Sequence, residues 1–452
     1  PRLRVLLLGT QHGMEPAGGD ALLTIAGDIL FGAGRVLCAQ CDFIIVPNSN
    51  PDGRDSGRRV NGNHVNLSTD YLLLSQPETR AIAGALQRFR PHVLIDAHES
   101  AALKKKTLGA EGFLVDFEAQ IESGNNPNID PALRRVCYET IVTSALARVS
   151  AQGIPAQHYV NEIISTNQII THGGLSLRNA RNYAGIHGAA AFLLETKLDP
   201  STGVYPTPRN IAERIRKQRA GIMSLLSECV RHAQTLRHVT DAARREYETR
   251  AQLASLPPLP PILDRTNGCI FLSWTYAADP RSPDISIPLR RIDNDIVTNI
   301  VFRYNNDVLA LDPLATPRGY VLTAAPEAFT ALLDQHGIAY GRLYKAAALP
   351  VTAQRIVRRT PLALRATGAS SRLETETESS VVTVPDGTIV VPTEQPLGRL
   401  AALLLEPGSL ASVMATPAFE ALAVPGVNKP CCVYRVDNIA SVPYVMKTGN
   451  SR

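Results

Sequence analysis

His12 and Glu15, three residues apart in Gln11-His12-Gly13-Met14-Glu15-Pro16, are an imidazole and a carboxylate spaced to grip one small cation together. A catalytic zinc takes three protein ligands and keeps one position open for water, so a third donor is expected elsewhere. His98, in Ile95-Asp96-Ala97-His98-Glu99-Ser100, is the candidate, because it too follows a short apolar run. Glu195 closes another such run, Ala189-Ala190-Ala191-Phe192-Leu193-Leu194. An unpaired buried charge there is costly. Either Glu195 pairs with a lysine or arginine, or it faces the metal as a base. Its place at the same sheet edge as the three donors favours the base.

The elements that must position these residues follow an α/β pattern. Leu3 to Leu8, Phe43 to Val46, Val93 to Ile95 and Ala189 to Leu194 read as buried strands. Pro16 stands where a helix begins, and Leu22, Ile25, Ala26, Ile29 and Leu30 follow at helical spacing. Open α/β sheets bind ligands in the crevice beyond the carboxyl ends of their strands, where His12, Glu15 and His98 fall. Ser75-Gln76-Pro77-Glu78 reads as a capping box, opening a helix that carries Ala81, Ile82, Ala85, Leu86 and Phe89. A further helix is expected from Pro131 to Gln152, capped by Asp130 and stopped by Gly153, and a polar helical stretch from Pro208 to about Leu253.

Leu256-Pro257-Pro258-Leu259-Pro260-Pro261 reads as a semi-rigid linker. The expected organisation is therefore a catalytic α/β unit over 1–255, a linker over 256–262 and a smaller α+β unit over 263–452. The second unit would hold strands near Gly319–Leu322 and Thr388–Val391, helices near Pro326–His336 and Gln395–Leu405, and a polar connection over Arg372–Ser380. It clusters no His, Cys and carboxylates, so packing, binding or a lid role is expected there.

The 452 residues, 44% hydrophobic and 19% charged, suit an ordinary globular protein with a sizeable core. A net charge of +5 and one short basic run, Lys104-Lys105-Lys106, argue against nucleic-acid binding. No apolar run approaches the ~18 residues that span a bilayer. Seven cysteines make no disulfide framework, and Cys38-Ala39-Gln40-Cys41 lacks a second pair, so buried thiols are favoured over a metal site. The chain begins inside an apolar run without Met, which points to a leader, and perhaps strands, preceding this numbering. The compartment stays open, a secreted or periplasmic one being favoured over the cytoplasm.

Taken together, these residues resemble the zinc carboxypeptidases, the M14 metallopeptidases, over about the first 250 positions. His12-x-x-Glu15, Asn50-Pro51-Asp52-Gly53, the segment from Arg59 to Thr69, His98, and Phe192-Leu193-Leu194-Glu195 occur in the family's order. The resemblance implies a mixed, largely parallel twisted sheet flanked by helices. It implies one zinc ion per chain on His12, Glu15 and His98, with Glu195 as general base and acid. Arg59 would polarise the substrate carbonyl, Arg54 and Arg58 being the alternatives.

The departures bear on substrate. The family's Asn-Arg carboxylate clamp falls on Ser68 and Thr69, whose hydroxyls bring neither charge nor fork. Its histidine-orienting Asp is Asn66, with Asp70 as candidate replacement. Arg178 or Arg181 could supply the clamp, and Tyr183 or Tyr159 the substrate-facing tyrosine. The expected function is zinc-dependent hydrolysis of an amide bond in a peptide or amino-acid conjugate. The alternatives are a deacylase resembling the aspartoacylase and succinylglutamate desuccinylase branch, and a metal-binding homologue without catalysis. Intact His12, Glu15, His98 and Glu195 argue against the last. Oligomeric state is not set by the sequence.

Overall fold

A computed structural model of the chain describes residues 2–103, 106–198, 210–253, 268–362, 371–426 and 430–447. Among these, eight strands precede residue 199. They are β1 (Leu3–Gly9), β2 (Cys41–Val46), β3 (Val93–Ser100), β4 (Phe113–Val115), β5 (Ala119–Ser123), β6 (Ala156–His158), β7 (Ile170–Thr171) and β8 (Ala190–Lys197). Six of them form one sheet in the order β2-β1-β3-β8-β5-β6. The strands β2, β1, β3 and β8 run parallel, while β5 turns antiparallel to β8 and parallel to β6. This is the mixed, largely parallel sheet expected from the sequence. The ladder of β3 continues to Ser100, so His98 lies inside the strand rather than just past it.

Alternation along β1 sends side chains to two cores. Leu3, Val5 and Leu7 meet Leu22 and Ile25 of the helix Ala17–Phe31 and Ile222, Leu225 and Leu226 of the helix Ile211–Arg231. Leu6 and Leu8 meet Ile82, Leu86 and Tyr183, and this second core continues into Tyr320, Phe329 and Leu404. Each such side chain contributes ~1.5–3 kcal/mol when fully buried. The later part of the chain thus covers one face of the sheet. It also shares a sheet, since β4 pairs with Asp284–Arg291 and β7 with Val297–Asn305. The proline-rich stretch expected as a linker, 256–262, lies outside the described residues.

Several local expectations are met. Asp130 caps the helix starting at Pro131 by accepting from Leu133 N at 2.9 Å, and Gly153 follows its end with φ +73°. Between Val136 and Val142 this helix widens to π geometry. Helices form at Pro326–His336 and Gly398–Leu405. Others are corrected. Ser75 does not cap the helix Pro77–Phe89; its hydroxyl donates to Asp70 Oδ1, and Asp70 Oδ2 accepts Gln76 N. Arg372–Ser380 is no connection but part of the strand Ser371–Val384, paired with Ala347–Pro361. Its Glu and Thr residues alternate on an exposed ribbon where Arg355 meets Glu376 and Arg358 meets Glu374, so polarity there marked a solvated strand.

Candidate metal centre and catalytic cleft

The chain leaves β1 through Thr10, which holds φ +57°. The next residues fold so that Glu15 N donates to His12 O at 3.0 Å, setting both side chains on one side of a tight turn. Gly13 has no space for a side chain, because a Cβ there would stand 1.9 Å from the carbonyl carbon of Gly53. Asn50 locks the two loops. Its Nδ2 donates to Gln11 O at 3.0 Å and its Oδ1 accepts Gly53 N at 2.9 Å. The Asn-Pro-Asp-Gly motif is the capped start of the short helix Pro51–Ser56.

His12, Glu15 and His98 converge. His12 Nδ1 lies 2.8 Å from Glu15 Oε1, His98 Nδ1 lies 3.0 Å from Glu15 Oε2, and the two Nδ1 atoms are 3.2 Å apart. The three side chains are buried, and one donor atom of each lies within 4.8 Å of the others. Both Nε2 atoms are held from behind. His98 Nε2 donates to Asp96 Oδ2 at 3.0 Å, and His12 Nε2 donates to Asn66 Oδ1 (3.1 Å) and Ser68 Oγ (2.8 Å). With the ring protons on the outer nitrogens, two lone pairs and a carboxylate face one another in a buried space. That arrangement calls for a cation, and nitrogen, nitrogen and carboxylate oxygen form a donor set that suits zinc.

The surrounding charges favour a positive charge at this point. Burial alone would raise the Glu15 pKa, yet His12 and His98 hold it well below the usual carboxylate range. Burial disfavours charge on His98, but Asp96 and Glu15 outweigh it and push its pKa well above the ordinary imidazole value.

Asp96 is a residue the sequence reading missed. It sits two positions before His98 on β3, hence on the same strand face, and that spacing was the available signal. Its Oδ2 also accepts Gln11 Nε2 at 2.7 Å, while Gln11 Oε1 accepts the Tyr71 hydroxyl at 2.9 Å. Asp70, the expected replacement, faces Ser75, Gln76 and Thr79 instead.

Glu195 and Arg59 open with Glu15 onto one cavity of about 300 Å³. Glu195 Oε2 is buried without a hydrogen-bond partner. Burial, then the charge of Glu15, push its pKa up to about 7, against the pull of His98, Lys197 and Arg59. Arg59 reaches Glu15 Oε1 at 3.2 Å. Arg54 is turned away, paired with Asp20 at 2.6 Å, and of the three arginines Arg59 alone is among the residues that line this cavity.

The expected substrate contacts fare differently. Ser68 serves His12 rather than the cavity. Thr69 is exposed, its carbonyl accepting from Arg178 Nε at 2.6 Å. Arg181 is buried and donates from Nη2 to Gly174 O at 2.8 Å. Tyr183 is fully buried, its hydroxyl 3.0 Å from His336 Nδ1, which makes it a packing residue and not a substrate contact. None of these five lines the cavity; Tyr159 does.

A parallel-rich sheet carrying this donor set and an unpaired carboxylate beside it defines a metallohydrolase of the carboxypeptidase type. Carboxypeptidase 2 of Trichophyton tonsurans is 24% identical over 417 residues, covering 91% of this chain and 73% of that protein. Carboxypeptidase SOL1 of Arabidopsis thaliana is 33% identical over 98 residues, 18% of this chain and 20% of that one. The chain is related to the M14-like zinc carboxypeptidases and is a hydrolase of the peptidase class. Among solved structures, a metallo-carboxypeptidase from Burkholderia cenocepacia aligns at TM-score 0.38 and 20% identity over 50% of this chain and 57% of its own. No family model matches the chain.

Proposed function

We propose that this chain hydrolyses a peptide bond, or a related amide, with one zinc ion on His12, Glu15 and His98. One observation carries the proposal: two histidine Nδ1 atoms and a carboxylate converge beside a cavity in which Glu195 offers an unpaired oxygen. Zinc so held would supply the Lewis acidity that lets water lose a proton near neutral pH. Glu195 takes that proton and returns it to the leaving nitrogen. Arg59, across the cavity, balances negative charge developing on the carbonyl oxygen. Asp96, Asn66 and Ser68 fix both imidazoles so that their inner nitrogens stay free to bind.

The division into a catalytic unit, 1–255, and an appended one, 263–452, is part of the same proposal. The appended unit backs the sheet that carries the ligands.

A deacylase acting on N-acyl amino acids is the second reading, favoured by the hydroxyl side chains that stand at positions 68 and 69 in place of a charged clamp. Metal-loaded protein assayed on free-acid peptides, their amides and N-acyl amino acids separates the two. Cleavage of peptides supports the first reading and cleavage of acyl amino acids alone the second. Stoichiometric metal with no cleavage would mark a binding protein.

A further inference from the structure

A second cavity, of about 540 Å³, lies beyond Tyr159 and shares no lining residue with the metal cleft. Tyr159 lines the cleft, and its carbonyl oxygen stands 3.2 Å from Nδ1 of His172, which lines the second cavity. Strand β5 supplies Glu122 to this space, and the helix starting at Pro131 supplies Arg134. Tyr276 and Val308 close it from the strands Cys269–Ala277 and Asp307–Ala315, so the later part of the chain completes the cavity.

Two buried polar atoms of this lining lack a hydrogen-bond partner, Arg134 Nε and Asn125 Oδ1. The Asn125 amide is oriented by Gly173 O, which can only accept. Its Nδ2 donates there at 2.8 Å and to the Tyr276 hydroxyl oxygen at 3.0 Å. Oδ1 is thereby left wanting a donor. Arg134 wants an acceptor. Burial disfavours its charge, against the pull of Asp130, and Asp130 already caps the helix at Leu133 N. Glu122, the buried carboxylate here, accepts Ser123 N at 3.0 Å and Gly173 N at 3.2 Å instead. A buried donor and a buried acceptor left open are each costly, and one ligand carrying the opposite of both would satisfy them.

We propose that this cavity is a second ligand site and that it takes a free α-amino acid. The carboxylate meets the Arg134 guanidinium, and an N–H of the ammonium meets Asn125 Oδ1. The side chain lies along the rings of Tyr138 and Tyr276. Glu139 and Asp307, both exposed, line the same space and balance the ammonium's charge. A carboxylate alone leaves Asn125 open, and an amine alone leaves Arg134 open. The site stands apart from the hydrolase reading, because none of its residues lines the metal cleft.

Isothermal titration calorimetry on the full chain, metal-loaded and metal-free, tests this with phenylalanine, phenylalaninamide and 3-phenylpropanoate. All three carry the ring; the amide lacks the carboxylate and the propanoate lacks the ammonium. Phenylalanine should bind roughly tenfold or more tighter than either, as the loss of a charge-assisted hydrogen bond implies. Its affinity should be the same with and without metal. Arg134→Gln should bring phenylalanine level with the amide, and Arg134→Lys, which keeps the charge, should lose less. Circular dichroism and metal content check that both variants fold.

Equal binding of the three probes overturns the proposal, as does the absence of saturable binding below about 10 mM. Binding that requires metal, or that survives Arg134→Gln unchanged, places the amino acid in the cleft and overturns it too. The comparison of probes needs no variant, so it decides even if Arg134→Gln does not fold. A failure to hydrolyse any peptide would reject the hydrolase reading and leave this result untouched.

Discussion

His98 and Glu195 stand directly opposite one another in the parallel pair of β3 and β8. The proposed ligand and the proposed base are therefore spaced by a backbone ladder, not by loops. Glu195→Gln keeps the shape and removes the proton acceptor. It should lower kcat by about two to four orders of magnitude while metal content, measured by elemental analysis, stays at the wild-type level. Full activity in this variant would remove Glu195 from its role, and loss of metal would make it a ligand-supporting residue instead.

Asp96 holds His98 from the side away from the proposed metal position. Replacing it with Ala leaves the His98 ring without its acceptor and Gln11 without one of its partners. Partners of this kind typically account for ~10–100-fold in metal affinity. Chelator competition on Asp96→Ala should show a weakening in that range. Ser68→Ala should cost less, because Asn66 still accepts from His12.

Gly13→Ala tests the turn itself. The added methyl would collide with the backbone of Gly53, which cannot yield as a flexible side chain could. Overpacking usually costs ~1–3 kcal/mol, and here the strain falls between two loops that aim His12 and Glu15. A lowered Tm together with weaker metal binding is expected. Gly27→Ala, where a Cβ meets nothing within 4 Å, is the control and should leave both unchanged or raise Tm slightly.

What could be read from the sequence follows from how local each signal was. His12, Glu15, His98 and Glu195 each follow a short apolar run, so strand pattern and residue type located them without knowledge of packing. Asp96 escaped because an acid inside a buried strand has meaning only when its partner's ring orientation is known. Tyr183 was misplaced for the reverse reason. Its partner, His336, lies 153 residues away, and no local pattern announces that helix Pro326–His336 docks on the helix Pro77–Phe89 and on Tyr183. Lys197 stood in plain view, yet its burial beside Phe117 depends on β4 and the segment after it folding over the cleft.

Acid sensitivity should come from that same docking. His336 Nδ1 accepts from the Tyr183 hydroxyl and Nε2 donates to Leu72 O at 3.0 Å, an arrangement only the neutral ring can make. Burial lowers its pKa to about 4. His92 Nδ1 accepts Arg4 N at 3.0 Å, and burial with nearby Arg4 and Arg244 lowers its pKa to about 4 as well. Unfolded histidines protonate near 6.5, so between pH 6.5 and 4 the unfolded state binds more protons than the folded one. Stability is then complete above pH ~6.5 and falls with pH down to about 4, each group contributing at most ~1.4 kcal/mol per pH unit. Urea unfolding at steps from pH 7.5 to 4 should show this fall with both sites contributing. His336→Gln should be less stable at pH 7 but lose less on acidification, because it has no proton to take up; an unchanged slope in that variant would place the acid sensitivity elsewhere.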